Sequence, residues 1–155
     1  MNTLVAYLIE NKLKIATAES CTGGLLASRF TDISGVSEVF EMGVVSYSNR
    51  IKNEFLSVSP SDLEKYGAVS REVALQMSKN VCKKASADIG VGITGIAGPT
   101  GGTPEKPVGT VWISFYFSKT DENVAYLLNL DGTRFEIRNK TCDEVIKKLK
   151  EHYNI

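Results

Sequence analysis

The segment 111–117 constrains the fold most, because apolar side chains alternate along it without interruption. One face carries Val111, Ile113, Phe115 and Phe117, and the other carries Trp112, Ser114 and Tyr116. Strict alternation of this kind predicts a β-strand. A second apolar run, 124–130, follows the polar stretch 118–123. The two runs therefore predict an antiparallel hairpin near the end of the chain.

Strand and helix patterns alternate along the rest of the chain. Short strand candidates lie at 14–19, 39–47 and 89–94. Helix candidates carry apolar faces at Leu4, Val5, Leu8 and Ile9, at 25–30, at 48–56, at Val73, Met77 and Val81, and at Ile137, Val145, Ile146, Leu149 and Tyr153. This order predicts an α/β fold, a three-layer α/β/α sandwich with a mixed sheet covered on both faces. The 155 residues show no linker or internal repeat, so we expect one domain spanning 1–155.

Three serines are expected to begin helices. Ser48 precedes a short helix and Ser70 a longer one, where a side-chain oxygen can accept a hydrogen bond from a backbone N–H group. Ser61 is followed three residues later by Glu64, a spacing typical of a capping box. We therefore expect a brief helical turn that starts at Ser61.

Composition excludes several classes of function. Lys and Arg together number 18, as do Asp and Glu, so the chain offers no basic footprint for nucleic acid or an acidic membrane surface. No apolar run approaches the roughly 20 residues of a membrane-spanning helix, and the N-terminus lacks the features of a secretion signal. Three widely spaced cysteines, an odd count, indicate a reducing compartment. We expect a cytoplasmic protein without nucleic-acid or membrane partners.

The single histidine, His152, limits the catalytic chemistry. It lies three residues from the C-terminus on the last helix, where a solvated surface side chain is expected. A site of the Ser–His–Asp or Cys–His kind therefore lacks a suitable histidine, and a zinc site built from Cys and His lacks ligands. We expect no metal or other cofactor. A hydrolase with a covalent step would need a lysine or a carboxylate as its base.

The segment 17–24, Thr-Ala-Glu-Ser-Cys-Thr-Gly-Gly, passes from a strand into a helix. Unpaired N–H groups at such a helix N-terminus could hold an oxyanion while Ser20 attacks a carbonyl group. The same helix terminus would lower the thiol pKa of Cys21. The alternative, that Ser20 or Thr22 is only an N-cap, is favoured by the local pattern alone.

The segment 44–52 also passes from a strand into a helical turn, and it contains Tyr47 and Lys52. A partly buried lysine near a positive helix end would have a lowered pKa, as a general base requires. The pattern alone favours a solvated surface lysine. It leaves Tyr47 as either a core aromatic or a pocket residue.

Two further segments have both ligand-binding and structural interpretations. Residues 94–107 form a Gly/Pro-rich loop after a buried strand, which is typical of a ligand contact but also of a surface loop. The loop matches neither a Walker A motif nor a dinucleotide fingerprint. Arg134 and Arg138 share one face at the start of the last helix, where their charges oppose the helix dipole. They indicate a bound phosphate or carboxylate, or an ion pair with Asp131 or Glu136.

Five motifs in order resemble the CinA C-terminal domain family. They are Ala-Glu-Ser-Cys-Thr-Gly-Gly (18–24), Gly-x-Val-x-Tyr-Ser-Asn-x-x-Lys (43–52), Tyr-Gly-Ala-Val-Ser (66–70), Gly-Ile-Ala-Gly-Pro-x-Gly-Gly (95–102) and Glu-Lys-Pro-Val-Gly-Thr-Val-Trp (105–112). The resemblance covers about residues 3–150, essentially the whole chain. The family includes the stand-alone nicotinamide-nucleotide amidases of bacteria.

The resemblance implies hydrolysis of the carboxamide of nicotinamide mononucleotide, giving nicotinate mononucleotide and ammonia without a metal. It implies that Ser20 is the nucleophile and Lys52 the base, with Tyr47 beside them. Backbone N–H groups around residues 21–23 are expected to hold the oxyanion. Expected substrate contacts are Cys21, Thr22, Gly23, Asn49, Thr94, Gly95, Ala97, Gly98, Arg134 and Arg138. The family motif has an aspartate where this chain has Thr133, so any ion pair made by that aspartate is missing.

The lack of a usable histidine and the resemblance both favour a lysine base. Neutral Lys52 would take the proton of Ser20, give it to departing ammonia, and then activate water against the acyl-enzyme, while Tyr47 would hydrogen-bond the lysine or the leaving amide. The alternative is a non-catalytic nucleotide-binding or regulatory module. Many family members carry a large N-terminal domain resembling molybdopterin-binding proteins, and a chain that starts at the amidase-like domain favours the stand-alone amidase. We also expect a homo-oligomer, assumed to be a dimer.

Overall fold

The computed structural model describes residues 1–155 and contains one five-stranded sheet. Its strands are β1 (Ile15–Glu19), β2 (Phe40–Val45), β3 (Ile89–Gly95), β4 (Thr110–Phe117) and β5 (Glu122–Asn129). They lie in the order β2-β1-β3-β4-β5, with β1 parallel to both its neighbours and β4 antiparallel to β3 and β5. The mixed sheet and its terminal hairpin, both predicted from the sequence, are confirmed.

Six helices cover the two faces of the sheet. They are α1 (Asn2–Glu10), α2 (Leu25–Thr31), α3 (Asn49–Glu54), α4 (Pro60–Tyr66), α5 (Arg71–Ala85) and α6 (Arg134–Tyr153). A cluster of 22 buried side chains joins α1, α2 and α6 to one face, and a cluster of 10 joins α5 to the other. These are the three layers of the predicted sandwich. None of the helices combines the length and apolarity that crossing a bilayer requires.

Two glycines in β3 allow α5 to approach the sheet closely. A β-carbon on Gly90 would lie 2.0 Å from the backbone oxygen of Ser78, and one on Gly92 would lie 2.6 Å from the backbone oxygen of Ala74, and both oxygens belong to α5. Both separations are too short for nonbonded atoms, so any larger residue would push α5 away from the sheet. The Ile-Gly-Val-Gly-Ile pattern of β3 therefore sets the packing distance of this layer.

Serine side chains cap three of the helices, although one is not the serine expected. Ser48 and Ser70 cap α3 and α5 as predicted. Each side-chain oxygen accepts a hydrogen bond from the backbone N–H group of the residue three positions further on. The predicted start at Ser61 is wrong, because α4 begins at Pro60 with Ser59 as its cap. Proline has a fixed φ and no N–H group, which suits the first helical position and moves the cap to the preceding residue.

The C-terminal ends of the parallel strands meet at one edge of the sheet. The end of β1 at Glu19 pairs with Val45 of β2 on one side and with Ile93 of β3 on the other. The chain therefore leaves β1 at a topological switch point, where open α/β sheets bind ligands. Three connections start from this edge, the β1–α2 turn (residues 20–24), the β2–α3 connection (residues 46–48) and the β3–β4 loop (residues 96–109).

Both ends of the chain lie at a groove that is lined largely by residues of α6 and the end of α2. Met1 and Ile155 line the groove together with Ile33 and Ile146. It has a volume of about 940 Å³ and shares no residue with the cavity beside Ser20.

Candidate active site

Ser20 and Lys52 are in direct contact at the C-terminal edge of the sheet, although 32 positions separate them in sequence. The Nζ atom of Lys52 lies 3.0 Å from the Oγ atom of Ser20 and donates a 2.7 Å hydrogen bond to the carbonyl oxygen of Ser46. Ser46 directly follows β2, and its N–H group donates to the carbonyl oxygen of Glu19 at 2.8 Å. The pairing of β2 with β1 therefore brings Lys52 to Ser20.

Lys52 is only 1% exposed, so the surface position favoured by its local pattern is wrong. Burial disfavours the charged form and lowers the pKa of Lys52 from 10.5 to about 8. The helix end is not the cause, because Lys52 lies in the last turn of α3, where the helix dipole favours a cation. At pH 7 about one tenth of Lys52 is therefore the free amine.

The β1–α2 turn differs from a serine-capped helix start. Gly24 is the N-cap of α2, and it has no side chain with which to cap. The carboxylate of Glu19 instead accepts three hydrogen bonds of 2.8 to 3.1 Å from backbone N–H groups at the start of α2. The interpretation of Ser20 or Thr22 as an N-cap is therefore wrong, and Glu19 supplies the cap from the preceding strand.

Two N–H groups of the turn have no acceptor within the protein. Those of Cys21 and Thr22 donate no hydrogen bond within the protein, whereas that of Gly23 donates to the carbonyl oxygen of Ser20 at 3.1 Å. Of the oxyanion donors expected at residues 21–23, Gly23 is already paired and Thr22 is fully buried, which leaves Cys21.

A cavity of about 340 Å³ opens beside Ser20 and Lys52. This volume lies at the lower end of the roughly 300–1,000 Å³ that is typical of small-molecule sites. The expected site residues that line the cavity are Ser20, Cys21, Tyr47, Asn49, Lys52, Thr94, Gly95, Ala97, Gly98 and Arg134. The other three expected residues, Thr22, Gly23 and Arg138, do not line it.

Hydrogen bonds join the end of β3 and the β3–β4 loop to the end of α4 and the segment that follows it. The hydroxyl of Thr94, at the base of the loop, donates to the carbonyl oxygen of Ala68 at 2.8 Å. Within the loop, the Nζ atom of Lys106 donates to the carbonyl oxygen of Tyr66 at 2.7 Å. The Thr94 hydroxyl therefore holds a wall of the cavity in place.

The two arginines of α6 have different positions. Arg134 reaches the cavity, where it donates to the carbonyl oxygen of Gly98 and to the hydroxyl of Tyr47, both at 2.8 Å. Arg138 lies one turn further on and donates to the carbonyl oxygen of Thr22 at 2.7 Å. Neither arginine forms the ion pair with Asp131 or Glu136 that was considered from the sequence. Arg138 holds the β1–α2 turn and is not placed to contact a ligand in the cavity.

Tyr47 lies at the mouth of the cavity with 61% of its surface exposed, so it is not a core aromatic. Its hydroxyl accepts a hydrogen bond from Arg134, and the expected hydrogen bond between Tyr47 and Lys52 is not formed. Tyr47 is therefore placed to contact a ligand at the entrance.

Thr133 begins α6 at the position of the family's aspartate. Its hydroxyl accepts from the N–H group of Glu136, while the carboxylate of Glu136 accepts from the N–H group of Thr133. This complete capping box fixes the start of α6, and with it the place of Arg134 in the first helical turn.

Two residues with reactive side chains are unavailable for catalysis. Burial raises the thiol pKa of Cys21 from 9.0 to about 11, so the activation expected from the helix terminus is wrong. His152 stacks on Phe117 with ring centroids 3.9 Å apart. Phe117 pairs with Ile89, at the end of β3 opposite to the cavity, so His152 is remote from Ser20.

Several contributors were missed from the sequence. Glu19 is a charged residue at the end of a buried strand, a position that requires hydrogen-bond partners and could have marked it as a cap. Ser46 acts through its main chain, which leaves no signal in the side chain. The remaining cavity residues lie within the quoted motifs and are Ala68, Val69, Ile96, Thr100 and Gly101.

Known proteins are similar in sequence to this chain over most of its length. The sequence model of the CinA C-terminal domain family matches residues 1–153 of this chain. A Thermoanaerobacter protein named as competence-damage inducible is 55% identical over 138 residues, which are 89% of this chain and 33% of that protein. A CinA-like protein of Kosmotoga olearia is 49% identical over 139 residues, 90% of this chain and 33% of that protein. The chain thus spans about a third of the length of these curated relatives.

Solved structures share the fold. The competence/damage inducible protein CihA of Agrobacterium tumefaciens superimposes with a TM-score of 0.88 at 38% identity, covering 96% of this chain and 94% of that one. The competence damage-inducible protein A of Klebsiella pneumoniae gives a TM-score of 0.90 at 31% identity, with coverages of 96% and 94%. The fold and site define an α/β sandwich with a ligand cavity at the switch point of a mixed sheet. The chain belongs to the CinA C-terminal domain family.

Proposed function

We propose that this protein is an amidohydrolase that converts nicotinamide mononucleotide into nicotinate mononucleotide and ammonia. The observation that carries the proposal is the buried 3.0 Å contact between Lys52 Nζ and Ser20 Oγ at the wall of a cavity. Burying a lysine costs free energy, so a lysine of lowered pKa beside a hydroxyl in a cavity indicates a functional site. The substrate is taken from the family resemblance.

In the first step, neutral Lys52 acts as the base. A neutral amine has two N–H groups and one lone pair, and the Ser46 carbonyl accepts from one N–H group. The lone pair accepts the hydroxyl proton of Ser20 as the Oγ atom bonds to the carboxamide carbon. The amide oxygen becomes an oxyanion, which the unpaired N–H group of Cys21 would stabilise.

In the remaining steps, the same lysine returns and takes up protons. Protonated Lys52 gives its proton to the amide nitrogen, so the C–N bond breaks, ammonia leaves and an ester to Ser20 remains. Neutral Lys52 then takes a proton from water as the water oxygen attacks the ester carbon. The ester C–O bond breaks, Ser20 regains its proton from Lys52, and the nicotinate product leaves.

The β3–β4 loop and Arg134 form the proposed phosphate contacts. The backbone N–H groups of Ala97, Gly98 and Gly101 donate no hydrogen bond within the protein, and all three residues line the cavity. Gly98 and Gly101 have positive φ values of 74° and 90°, and turns of this kind can direct N–H groups towards an anion. The Arg134 guanidinium adds a permanent positive charge.

The direct test is ammonia release from nicotinamide mononucleotide by the purified protein. We expect turnover in the wild type and none above background in Ser20→Ala. Rapid acid quenching followed by mass spectrometry should detect the nicotinate mononucleotide ester on the peptide that contains Ser20. The reaction is also compatible with a cytoplasmic protein, whose three cysteines here are free and buried.

Two outcomes would contradict the proposal. Full activity in Ser20→Ala, with the fold intact by circular dichroism, would refute the Ser20 mechanism. Binding of the mononucleotide by the wild type without ammonia release would instead support a nucleotide-binding or regulatory module.

A further inference from the structure

We propose that Glu19 and Arg138 are positioning residues that hold the β1–α2 turn in the geometry that Ser20 needs to react. The inference rests on the proposed role of Ser20 as nucleophile. Neither Glu19 nor Arg138 lines the cavity, so any effect they have on the reaction passes through the turn.

Glu19 closes the turn from its N-terminal side. The carboxylate is 1% exposed, and its Oε2 atom accepts from the N–H groups of Gly24 and Leu26, both at 3.1 Å. Its Oε1 atom accepts from the N–H group of Ala27 at 2.8 Å. A buried carboxylate with three N–H donors at a helix N-terminus is strongly held, because the bonds are charge-assisted and the dipole favours an anion. Ser20 and its neighbours are thereby confined between Glu19 and α2.

The main chain of Glu19 also supports the lysine. Its carbonyl oxygen accepts from the N–H group of Ser46 at 2.8 Å, and the carbonyl oxygen of Ser46 accepts from the Nζ atom of Lys52 at 2.7 Å. One residue thus fixes the turn through its side chain and the support of Lys52 through its backbone. The separation of the Ser20 and Lys52 side chains is therefore set relative to Glu19.

Arg138 holds the middle of the turn from α6. Its guanidinium donates to the carbonyl oxygen of Thr22 at 2.7 Å. The same nitrogen would lie 3.7 Å from a β-carbon on Gly23, so the guanidinium lies close against the turn. The Thr22 carbonyl shares a peptide plane with the N–H group of Gly23, which donates to the carbonyl oxygen of Ser20 at 3.1 Å. Arg138 therefore fixes a peptide plane that is hydrogen-bonded to the main chain of Ser20.

Arg29 provides a matched control for this pair. It also joins α2 to α6, through Asp143 at 2.6 Å and the side chain of Asn139 at 2.8 Å. None of these contacts involves the β1–α2 turn. Replacing Arg29 therefore weakens the same helix packing without releasing the turn.

The experiment compares Glu19→Gln, Arg138→Met and Arg29→Met in the full chain. The first readout is kcat and KM for nicotinamide mononucleotide. The second is the rate at which a fluorophosphonate modifies Ser20, a reaction in which the Oγ–P bond forms, the P–F bond breaks, fluoride leaves and Lys52 takes the serine proton. A misplaced reacting group costs up to roughly 100-fold, so we expect kcat and the modification rate to fall about 10- to 100-fold in the first two variants.

A positioning role also predicts what does not change. KM should stay within about threefold of the wild type, because the proposed phosphate contacts lie on the loop and Arg134 and are unchanged. Arg29→Met should keep kcat within the same range, because it leaves the turn intact. The pH midpoint of kcat should remain that of the wild type, since the surroundings of Lys52 are intact. Arg138→Lys, which restores one donor, should recover part of the activity lost in Arg138→Met.

Wild-type kcat in both Glu19→Gln and Arg138→Met would overturn the inference, as would an equal loss in Arg29→Met. If Glu19→Gln fails to fold by circular dichroism, the two Arg138 variants decide the question. If the wild type does not turn over the mononucleotide but the modification rates still follow the expected order, the positioning role stands and the proposed substrate fails.

Discussion

The β1–α2 turn and the β3–β4 loop border the same cavity, yet the protein holds them in opposite ways. The turn contains the buried residues Ser20, Cys21 and Thr22, and side chains of Glu19 and Arg138 bind its backbone or the helix start beside it. The loop is longer, and residues 99–105 are all exposed. A short, buried, hydrogen-bonded connection and a long, exposed one therefore face each other across the cavity.

The difference separates two tasks. The reacting serine and its lysine lie on the firmly held side, where a displacement would be costly for the reaction. The loop supplies glycine backbone and an entrance shaped for a ligand. We therefore expect variants on the turn side to change kcat and variants of the loop to change KM.

The largest expected effect is the loss of chemistry in Ser20→Ala and Lys52→Met. Each should lower kcat by about 10³-fold or more, because the nucleophile and its base act as one unit. Isothermal titration with the mononucleotide should still detect binding. Lys79→Met, which removes a surface lysine paired with Asp121, is the control and should retain full kcat. Loss of binding in Ser20→Ala would contradict the division between turn and loop.

The next effect is the pH dependence of kcat on the turn side. The base must be neutral, and the pKa of Lys52 is lowered to about 8. Activity should therefore rise about tenfold per pH unit below that midpoint and level off above it, a change of roughly 100-fold between pH 6 and 10. Steady-state assays over this range would test it. A flat profile would show that Lys52 is not the base.

The lowered pKa of Lys52 should also make the free energy of unfolding depend on pH. The folded pKa of Lys52 lies below its unfolded value of 10.5, so the unfolded state binds more protons between pH 8 and 10.5. Burial of the protonated lysine destabilises the folded state fully below about pH 8. This destabilisation decreases as the pH rises towards 10.5, by about 3 kcal/mol in total. Urea unfolding should show the wild type gaining this amount relative to Lys52→Met across that interval. A pH-independent difference would mean that Lys52 is not desolvated.

A smaller effect is expected in the loop. Gly98→Ala places a β-carbon 2.5 Å from the Cγ1 atom of Val108 at a φ of +74°, so the loop must shift. We expect KM to rise about tenfold with kcat nearly unchanged, because ground-state binding is lost. Gly35→Ala is the control, since its φ of +84° imposes similar strain and its β-carbon would meet only Ile9 at 3.7 Å. A fall in kcat without a change in KM would reverse the assignment of the loop.

The fold was predictable because burial follows local periodicity. The alternation along residues 111–117 and the caps at Ser48 and Ser70 depend on neighbours in sequence, and all three are confirmed. The prediction that Ser61 begins a helix was wrong because Pro60, which has no N–H group, fits the first helical position and makes Ser59 the cap.

The site was less predictable because its key relations are not local. Lys52 is buried by the pairing of β2 with β1, which no pattern within residues 44–52 records. Glu19 displaced Ser20 and Thr22 as the helix cap because a buried carboxylate needs several donors, and the helix start supplied them. The family motifs grouped Ser20 with Lys52, while only the structure separates the tasks of Arg134 and Arg138.

The chain ends have a practical consequence for studying the site. Met1 and Ile155 both border the groove along α2 and α6, which shares no residue with the cavity. An affinity tag or a fluorescent reporter added at either end would be attached at the groove and not at the entrance formed by Tyr47 and the loop. Protein tethered to a surface through either end would therefore keep its cavity open to small molecules in solution.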